Sequence, residues 1–385
     1  MRGEMRGKKM RIVLVAYMIV ASIAAARAEG DSVRTTLPEK VIGLAETVLK
    51  ALTVESGRVK MAVYPAGAYG ERTGLEIGVM PTVQIGSEKF RQPLTITPSV
   101  LVSTKKMFEV QADMELYTRG GTDVIMKAEM YRLPDDYYET GNGRGKKSVA
   151  EYRFERRMVT AEALRHIGER GLIGGVFVDV DRYNFRDIEV KDTTAETWRL
   201  WEDAGTSFGG GVVVGRDSRD NTLQPRRGTY TRVRLTGYRR DDGRKFQKVE
   251  VDARRYFGIG EKATLAIQMY AARSWGQCPF PKMPTHGGTR LGRAIGHSMK
   301  YVDAGAWIAQ AEVRRPLFWR IGGVLWTGVG TVFGETSQVM EGMHVMGGGG
   351  IRVSVFKDGG LNLRLDGGVS QRGDGAIYLN IREAF

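Results

Sequence analysis

The chain ends in "LNLRLDGGVSQRGDGAIYLNIREAF" (residues 361–385), and this stretch indicates its fold. Apolar and polar residues alternate from Leu361 to Val369, which is the period of a strand whose two faces meet different surroundings. After the turn-like "SQRGDG" the alternation resumes, and its apolar face carries Ile377, Leu379, Ile381 and Phe385. The end of the chain is therefore predicted to form two paired strands, each with one apolar face.

The same alternation recurs along the chain in about sixteen segments. They are 59–68, 73–85, 93–104, 107–118, 122–133, 148–167, 172–185, 206–217, 228–239, 245–257, 263–275, 303–315, 321–333, 344–356 and the two strands of the quoted end. Tight turns such as "GERG" (168–171) contrast with long connections at 186–205 and 276–302. Strand length, an even strand number and this loop rhythm predict a closed antiparallel transmembrane β-barrel. A soluble β-sandwich with a lectin-like or hydrolase role is the alternative.

Composition agrees with a β-rich exported chain. Its 385 residues include 51 glycines and 11 prolines, which favours many tight turns. Past residue 28 no apolar stretch is long enough for a membrane helix, but this does not exclude a membrane barrel. The single cysteine, Cys278, excludes an internal disulfide. The net charge of +14 is basic, but an exported chain rarely meets nucleic acid, so no nucleic-acid partner is predicted.

The N-terminus divides into two segments before the first strand. Residues 1–28 combine basic "MRGEMRGKKMR", apolar "IVLVAYMIVASIAA" and the small-residue site "ARA", which together indicate a secretory signal peptide, with a membrane anchor as the alternative. Residues 29–58 contain "LPEKVIGLAETVLKALTV", whose apolar residues recur at helical spacing. We expect a short helix there, on the periplasmic rim or membrane surface, or inside the lumen as a plug. The barrel is assigned to residues 59–385.

The stretch "GRDSRDNTLQPRRGTY" (215–230) resembles the strand-turn-strand signature of the outer-membrane assembly-factor superfamily, also called the bacterial surface antigen superfamily. The residues that match the family pattern are Asp217, Arg219, Asp220, Asn221, Pro225, Arg227 and Gly228. The resemblance extends from about residue 59 to the end, and the terminal aromatic Phe385 is similar to the C-terminal signal that directs such barrels into the membrane. It implies an outer-membrane location and a role in insertion or translocation of polypeptides.

Two departures from the family pattern qualify this resemblance. The family's periplasmic (POTRA) domains have no counterpart in residues 29–58, so we expect a barrel without them. The family folds a long loop into the lumen with an Arg-Gly-aromatic tip, and the matching stretch here reads Arg293-Ala294-Ile295. The family's carboxylate partner position holds Thr331, so the resemblance implies that Arg293 meets Glu312 or Asp366 instead.

Catalytic patterns are weak, and no enzyme activity, cofactor or metal is predicted. The four histidines are scattered without metal-ligand spacing, and no nucleophile-elbow motif occurs. A lipid-facing Ser-His phospholipase, with Ser298 beside His297 or with Ser103, is the enzymatic alternative. The expected partners are outer-membrane lipid including lipopolysaccharide, the barrel-assembly machinery for the chain's own insertion, and a polypeptide client or periplasmic partner. Basic "GRGKK" (143–147) and "RRDDGRK" (239–245) suit lipopolysaccharide phosphates. A passive pore or a structural barrel is the functional alternative.

Overall fold

The computed structural model describes residues 52–70, 72–143, 147–168, 171–297, 299–354 and 362–385. The expected signal peptide and most of the expected N-terminal helix lie outside these residues, as does Ser298. Thr53 and Val54, at the end of the expected helix, lie in a short strand instead, because they pair with the first barrel strand.

Sixteen antiparallel strands form one closed barrel, as the alternation predicts. A seventeenth, β1 (Thr53–Ser56), is an additional short strand outside that cycle. The barrel strands are β2 (Val59–Gly70), β3 (Gly74–Ile85), β4 (Phe90–Ser103), β5 (Phe108–Thr118), β6 (Thr122–Tyr137), β7 (Ala150–Ile167), β8 (Leu172–Val190), β9 (Gly205–Asp217), β10 (Gly228–Arg240), β11 (Lys245–Ile259), β12 (Ala263–Gly276), β13 (Gly305–Phe318), β14 (Ile321–Phe333), β15 (His344–Ser354), β16 (Asn362–Ser370) and β17 (Gly375–Ile381). Each strand pairs with its sequence neighbour, and β17 pairs back onto β2.

The two faces of the barrel wall have opposite polarity. In β12, for example, Gln268 and Ser274 are buried inside, whereas Ile267 and Met269 are exposed on the outside. Exposed apolar residues recur on the outer faces of most strands, which is the pattern of a barrel whose outer surface meets lipid. Among the described residues, no helix is long and apolar enough to cross a bilayer.

The barrel has a long-loop end and an end that carries both strand β1 and the end of the chain. Strand β8 reaches Val190, so the long connection expected at 186–205 shortens to 191–204, where a four-residue helix α1 (Arg199–Glu202) lies. This extension occurs because β8 keeps pairing with β7 as far as Ala150. Residues 277–304, called the inward loop below, connect β12 to β13, and their described part packs inside the barrel.

The closure between β2 and β17, called the seam below, is the shortest ladder of the barrel. It consists of three residue pairs, from Tyr69↔Ile377 to Gly67↔Leu379. The other neighbouring barrel strands share from seven to seventeen pairs. Strand β1 covers part of the same edge of β2, at residues 59–62. The seam is therefore held by the fewest backbone hydrogen bonds in the wall.

Candidate functional site: the lumen and the seam

Arg293 lies at the centre of the lumen contacts and is fully buried. Its Nη2 lies 2.6 Å from Oε2 of Glu312 on β13, and its Nη1 lies 3.1 Å from Oδ2 of Asp366 on β16. Its guanidinium also lies 4.4 Å from the ring centroid of Trp326 on β14. The structure thus brings together the three residues that the sequence suggested for the lumen contact, although the Arg293 tip lacks the family's glycine and aromatic residue.

Further arginines bind the remaining carboxylate oxygens of Glu312 and Asp366. Asp366 also accepts from Nη1 of Arg352 at 2.7 Å, and Glu312 also meets the guanidinium of Arg314. Arg364 lies 3.5 Å from Asp366, and its other nitrogen donates to a backbone carbonyl of the inward loop. Burying a charge is costly unless it is paired, so the members of this network stabilise one another inside the lumen.

Glycines on β15 and β16 provide the room that this unit needs. A Cβ on Gly348 or Gly368 would collide with the indole of Trp326, and a Cβ on Gly350 would collide with the carboxylate of Asp366. The run "MGGGG" thus lets Trp326 lie flat against the wall beneath Arg293, because only glycine permits such close approach.

Three other side chains of the inward loop attach it to the wall through contacts that the sequence did not predict. Nζ of Lys282 lies 2.6 Å from Asp179 and 3.0 Å from Asp181, both on β8. Nε2 of His297 lies 2.7 Å from a carboxylate oxygen of Asp135 on β6. Lys300 lies 2.6 Å from Asp374, in the turn before β17. The sequence feature that points to such contacts is the pair of carboxylates Asp179 and Asp181, two residues apart on the inward face of β8.

The last four residues also enter the lumen, which the sequence did not indicate. Arg382 adopts a left-handed backbone with φ of 68°, which ends β17 and turns the chain inward. Glu383 then accepts from Nε of Arg352 at 2.8 Å. Phe385 packs against Tyr256 in a buried cluster, and its carbonyl oxygen accepts from Arg314. Residues 382–385, called the tail below, therefore belong to the same charge network as the inward loop.

This placement separates the four residues of the expected insertion signal. Ile377 is exposed on the outer face of the barrel, and Leu379 takes part in the seam. Ile381 and Phe385 are buried among lumen-facing side chains. The alternation of apolar residues continues in the sequence, but the backbone turn at Arg382 redirects the chain. A role of these residues in insertion stays a prediction.

The family turn motif closes one corner of the barrel. Asp217 accepts from the backbone N–H of Arg219 at 3.1 Å and from its guanidinium at 2.8 Å. Asn221 accepts from two backbone N–H groups of the loop, at 2.7 and 3.0 Å, as turn-forming asparagines do. Pro225 is buried. Gly228 has φ of 108°, where a side chain would collide with the opposite arm of the turn. Asp217 and Gly228 end the two strands, and the other three residues lie in the turn between them.

The motif loop also reaches the seam. Leu223 packs against a buried cluster that contains Ala62 and Tyr64 of β2 and Ile381 of β17. Thr222 hydrogen-bonds Gln92 of β4. The loop therefore supports both seam strands from the lumen side, at the end of the barrel opposite the long loops.

The rest of the lumen holds a cavity of about 940 Å³ beside the inward loop. Most of its wall is formed by the inner faces of β2–β8, and residues of β17 and the inward loop complete it. The lining is rich in charge. Carboxylates on this wall include Glu76, Glu109 and Glu129. Among the described residues, the Glu109 side chain has no hydrogen-bond or ion-pair partner. Described His, Cys, Asp and Glu side chains form no group suited to a metal ion.

One histidine of the inward loop is buried without polar partners. Both ring nitrogens of His286 lack a hydrogen-bond partner in the described part of the chain. The ring stacks on Tyr301 at 5.7 Å and meets His344 edge-on at 4.8 Å. Burial, together with the nearby Arg372 guanidinium, lowers the pKa of His286 to about 4. Neutral His286 therefore favours the packed state of the loop.

Several solved structures have an architecture similar to that of this barrel. BamA from Haemophilus ducreyi lacking POTRA domains 1–3 is similar over 92% of this chain and 80% of the BamA chain, with a TM-score of 0.52 and 9% identity. CdiB from Escherichia coli matches 86% of this chain, with a TM-score of 0.55 and 10% identity. CdiB from Acinetobacter baumannii matches 85%, with a TM-score of 0.52 and 11% identity.

The fold is that of the BamA and CdiB barrels. At these identities the likeness concerns the fold alone, and this chain spans 63% and 60% of the two CdiB chains. No family model and no curated protein matches the sequence. The BamA and CdiB type of barrel nevertheless agrees with the resemblance that the turn motif and the inward loop carry.

Proposed function

We propose that this protein is an outer-membrane barrel that inserts or translocates polypeptides at its seam. The observation that carries the proposal is the three-pair ladder between β2 and β17 in a wall that is otherwise continuous. A strand edge in lipid is tolerated only when its backbone groups are paired. Because only three residue pairs hold this edge, separating β2 from β17 breaks fewer backbone hydrogen bonds than separating any other two strands. A client strand then pairs with the exposed edge.

The details of β2 support the same role. Its edge is shared between β1 at residues 59–62 and β17 at residues 67–69, so residues 63–66 lie between the two ladders. Pro65 lies in this gap, and proline in a sheet belongs at edges because it lacks an N–H donor. The likeness to BamA and CdiB barrels adds support at the level of the fold.

The proposal includes the surroundings of the barrel. Barrels of this type carry short turns on the periplasmic side and longer loops outside, so the inward loop enters from outside and β1 lies on the periplasmic side. Its partners are then outer-membrane lipid including lipopolysaccharide, the assembly machinery that inserts it, and a polypeptide client that a separate periplasmic protein delivers.

A reversible cross-link of the seam tests this function. Ala68 and Tyr378 lie directly opposite each other across the seam. In a background with Cys278→Ser, the pair Ala68→Cys and Tyr378→Cys forms a disulfide that holds β2 to β17. We expect the oxidised protein to lose at least about tenfold of its rate in inserting a test barrel into proteoliposomes, and we expect reductant to restore the rate.

Two controls make the result specific. The reduced form of the same variant controls for the loss of the Tyr378 hydroxyl, which donates to the Ile295 carbonyl at 3.2 Å. A second disulfide between Thr236→Cys and Lys248→Cys, which are opposite each other on β10 and β11, cross-links the wall away from the seam and is expected to change nothing. Equal insertion rates for both oxidised proteins would refute the seam mechanism.

A narrow pore is the second candidate, and the cavity of about 940 Å³ favours it. Planar-bilayer recording of the refolded protein separates the two functions. Steady conductance together with no acceleration of insertion supports the pore, whereas acceleration that the seam disulfide removes supports the assembly role.

A further inference from the structure

A groove lies on the outer face of the barrel near its long-loop end. Its volume is about 570 Å³, and it is lined by residues of β9–β12. The strand register arranges the outer side chains in rows. The row nearest the loops contains Phe208, Arg239 and Lys245, and the next contains Gly210, Gly237, Gln247 and Trp275.

Glycines form the floor of this groove, and aromatic rings form its sides. A Cβ added to Gly210 or Gly237 would meet no atom within 4 Å, so the space above them is open. Phe208 and Trp275 stand on either side, each about half exposed. The row below them holds Val212, Leu235 and Val249 on β9–β11. On β12 it ends in Arg273, whose guanidinium donates to the carbonyl of Phe333. The shape is that of a slot that runs along the barrel wall into the lipid-facing surface.

Two cations face each other at the top of the slot. Arg239 and Lys245 are direct cross-strand partners on β10 and β11, and both are exposed. Like charges in this relation destabilise a sheet. Neither side chain has an ion-pair partner in the described part of the chain. The carboxylates of the adjoining turn are engaged elsewhere, Asp242 with Arg240 and Arg244, and Asp241 with the backbone of Thr206.

We propose that this groove binds the lipid A part of lipopolysaccharide, with a phosphate between Arg239 and Lys245 and an acyl chain in the slot above Gly237. A phosphate placed there neutralises two facing cations at once. An acyl chain fills the open space above the glycines and continues over the apolar row below. Trp275 and Phe208 suit the boundary between head group and hydrocarbon, where aromatic side chains concentrate.

This proposal requires the outer-membrane location and the orientation given under the proposed function. It does not require that the seam handles polypeptides. The groove and the seam lie on different parts of the wall, since β9–β12 are several strands away from β2 and β17 on either side. Failure of the seam experiment therefore leaves this proposal standing, and the reverse also holds.

Binding of lipid A to the refolded full-length protein in detergent micelles, followed by native mass spectrometry, tests the proposal. The ligands are bisphosphorylated lipid A, the same lipid without phosphates, and inorganic phosphate. The double variant Arg239→Gln and Lys245→Gln is expected to bind bisphosphorylated lipid A about 20-fold more weakly, and to bind the dephosphorylated lipid as the parent does. Gly237→Phe, which fills the slot without changing charge, is expected to weaken both lipids.

The matched control is the double variant Lys262→Gln and Arg315→Gln, which removes two exposed cations near the opposite end of the barrel and is expected to bind like the parent. Equal loss in this control would show that only net charge matters. Unchanged binding in the Arg239 and Lys245 variant would overturn the site, as would tight binding of inorganic phosphate without lipid. Heat-modifiable gel migration, measured for every variant, confirms that each barrel has folded.

Discussion

The two halves of the lumen differ in how their charges are satisfied. On the inner faces of β10–β16, called the packed half, arginines and carboxylates pair with one another, with the inward loop and with the tail. On the inner faces of β2–β8, called the open half, a cavity remains, and Glu109 has no polar side-chain partner among the described residues. In the packed half the ion pairs form one buried network, whereas in the open half ion pairs such as Arg72 with Asp135 line a cavity.

The seam lies where these halves meet. Strand β17 borders the packed half and carries the tail, whereas β2 borders the open half. The tail anchors β17 through ion pairs and a buried ring, whereas β2 is held on the lumen side by the apolar cluster around Ala62 and Tyr64. If the wall parts, we infer that β2 moves and β17 stays in place, because moving β17 would break the contacts of Glu383 and Phe385.

The largest expected effect comes from removing the charge at the centre of the packed half. Arg293→Ala leaves Glu312 and Asp366 facing a gap, which costs about 3–5 kcal/mol when such a pair is fully buried. We expect the inward loop to detach while the strands persist. The measurement is limited proteolysis of the loop together with channel conductance, and both are expected to rise.

A control for this variant has to avoid the neighbouring arginine. Arg290 donates to the carbonyl of Ala384 at 3.1 Å, so it also belongs to the packed half. Lys262→Ala removes one exposed cation from a turn instead. A resistant loop in Arg293→Ala, as in the Lys262 control, would show that the network does not hold the loop.

The next effect concerns pH. His286 is held neutral in the packed loop, with a pKa of about 4, and returns to an ordinary pKa near 6.5 when the loop is released. The released state then binds more protons as pH falls from about 6.5 toward 4, so packing loses up to about 3 kcal/mol over this range. Proteolysis of the loop at pH 7 and at pH 4.5 measures this loss.

His286→Phe keeps an aromatic ring between Tyr301 and His344 but cannot be protonated. Its loop is expected to show a smaller change between the two pH values. The other charged groups near the ring are Arg372 and Asp374, and neither is altered by this substitution. An equal response in parent and variant would assign the pH dependence to groups other than His286.

The smallest effect is expected in the open half. Glu109→Gln removes a carboxylate that has no polar partner in the described part of the chain, so the free energy of unfolding is expected to change by less than about 0.5 kcal/mol. The reversal potential in a salt gradient is expected to shift toward lower cation preference. The same change at Glu312 is expected to cost several times more. Similar costs at both positions would remove the distinction between the two halves.

The sequence predicted the strands of the barrel wall better than the side-chain contacts inside the lumen. Strand positions followed from alternation, because lipid outside and polar groups inside impose a two-residue period on every strand. The pair of Arg293 with Glu312 and Asp366 was accessible because family resemblance placed the loop and alternation placed the carboxylates. Neither signal indicates how far a loop side chain reaches across the lumen, so the contacts of Lys282 and His297 were missed.

The tail shows a second limit. Alternation at Ile377, Leu379, Ile381 and Phe385 does not distinguish a lipid-facing strand from one that turns inward. The difference is a single left-handed residue, Arg382, which carries no glycine or asparagine signal. The groove at Gly237 was also missed, since it depends on which residues adjoin on three strands. The two-residue period can be read from each strand segment alone, whereas the register between neighbouring strands depends on the pairing of the whole barrel.

The inward loop has a mechanical consequence for the seam. Through His297 it is attached to β6, and through Lys300 to the turn that precedes β17. These attachments lie on opposite sides of the seam, so the loop spans it as a brace inside a ring. A force that separates β2 from β17 therefore acts on these contacts, and on the ion pair of Arg382 with Glu115 of β5, as well as on the three backbone pairs. We infer that the inward loop limits how far β2 and β17 separate, so that contacts inside the lumen control the opening of the wall.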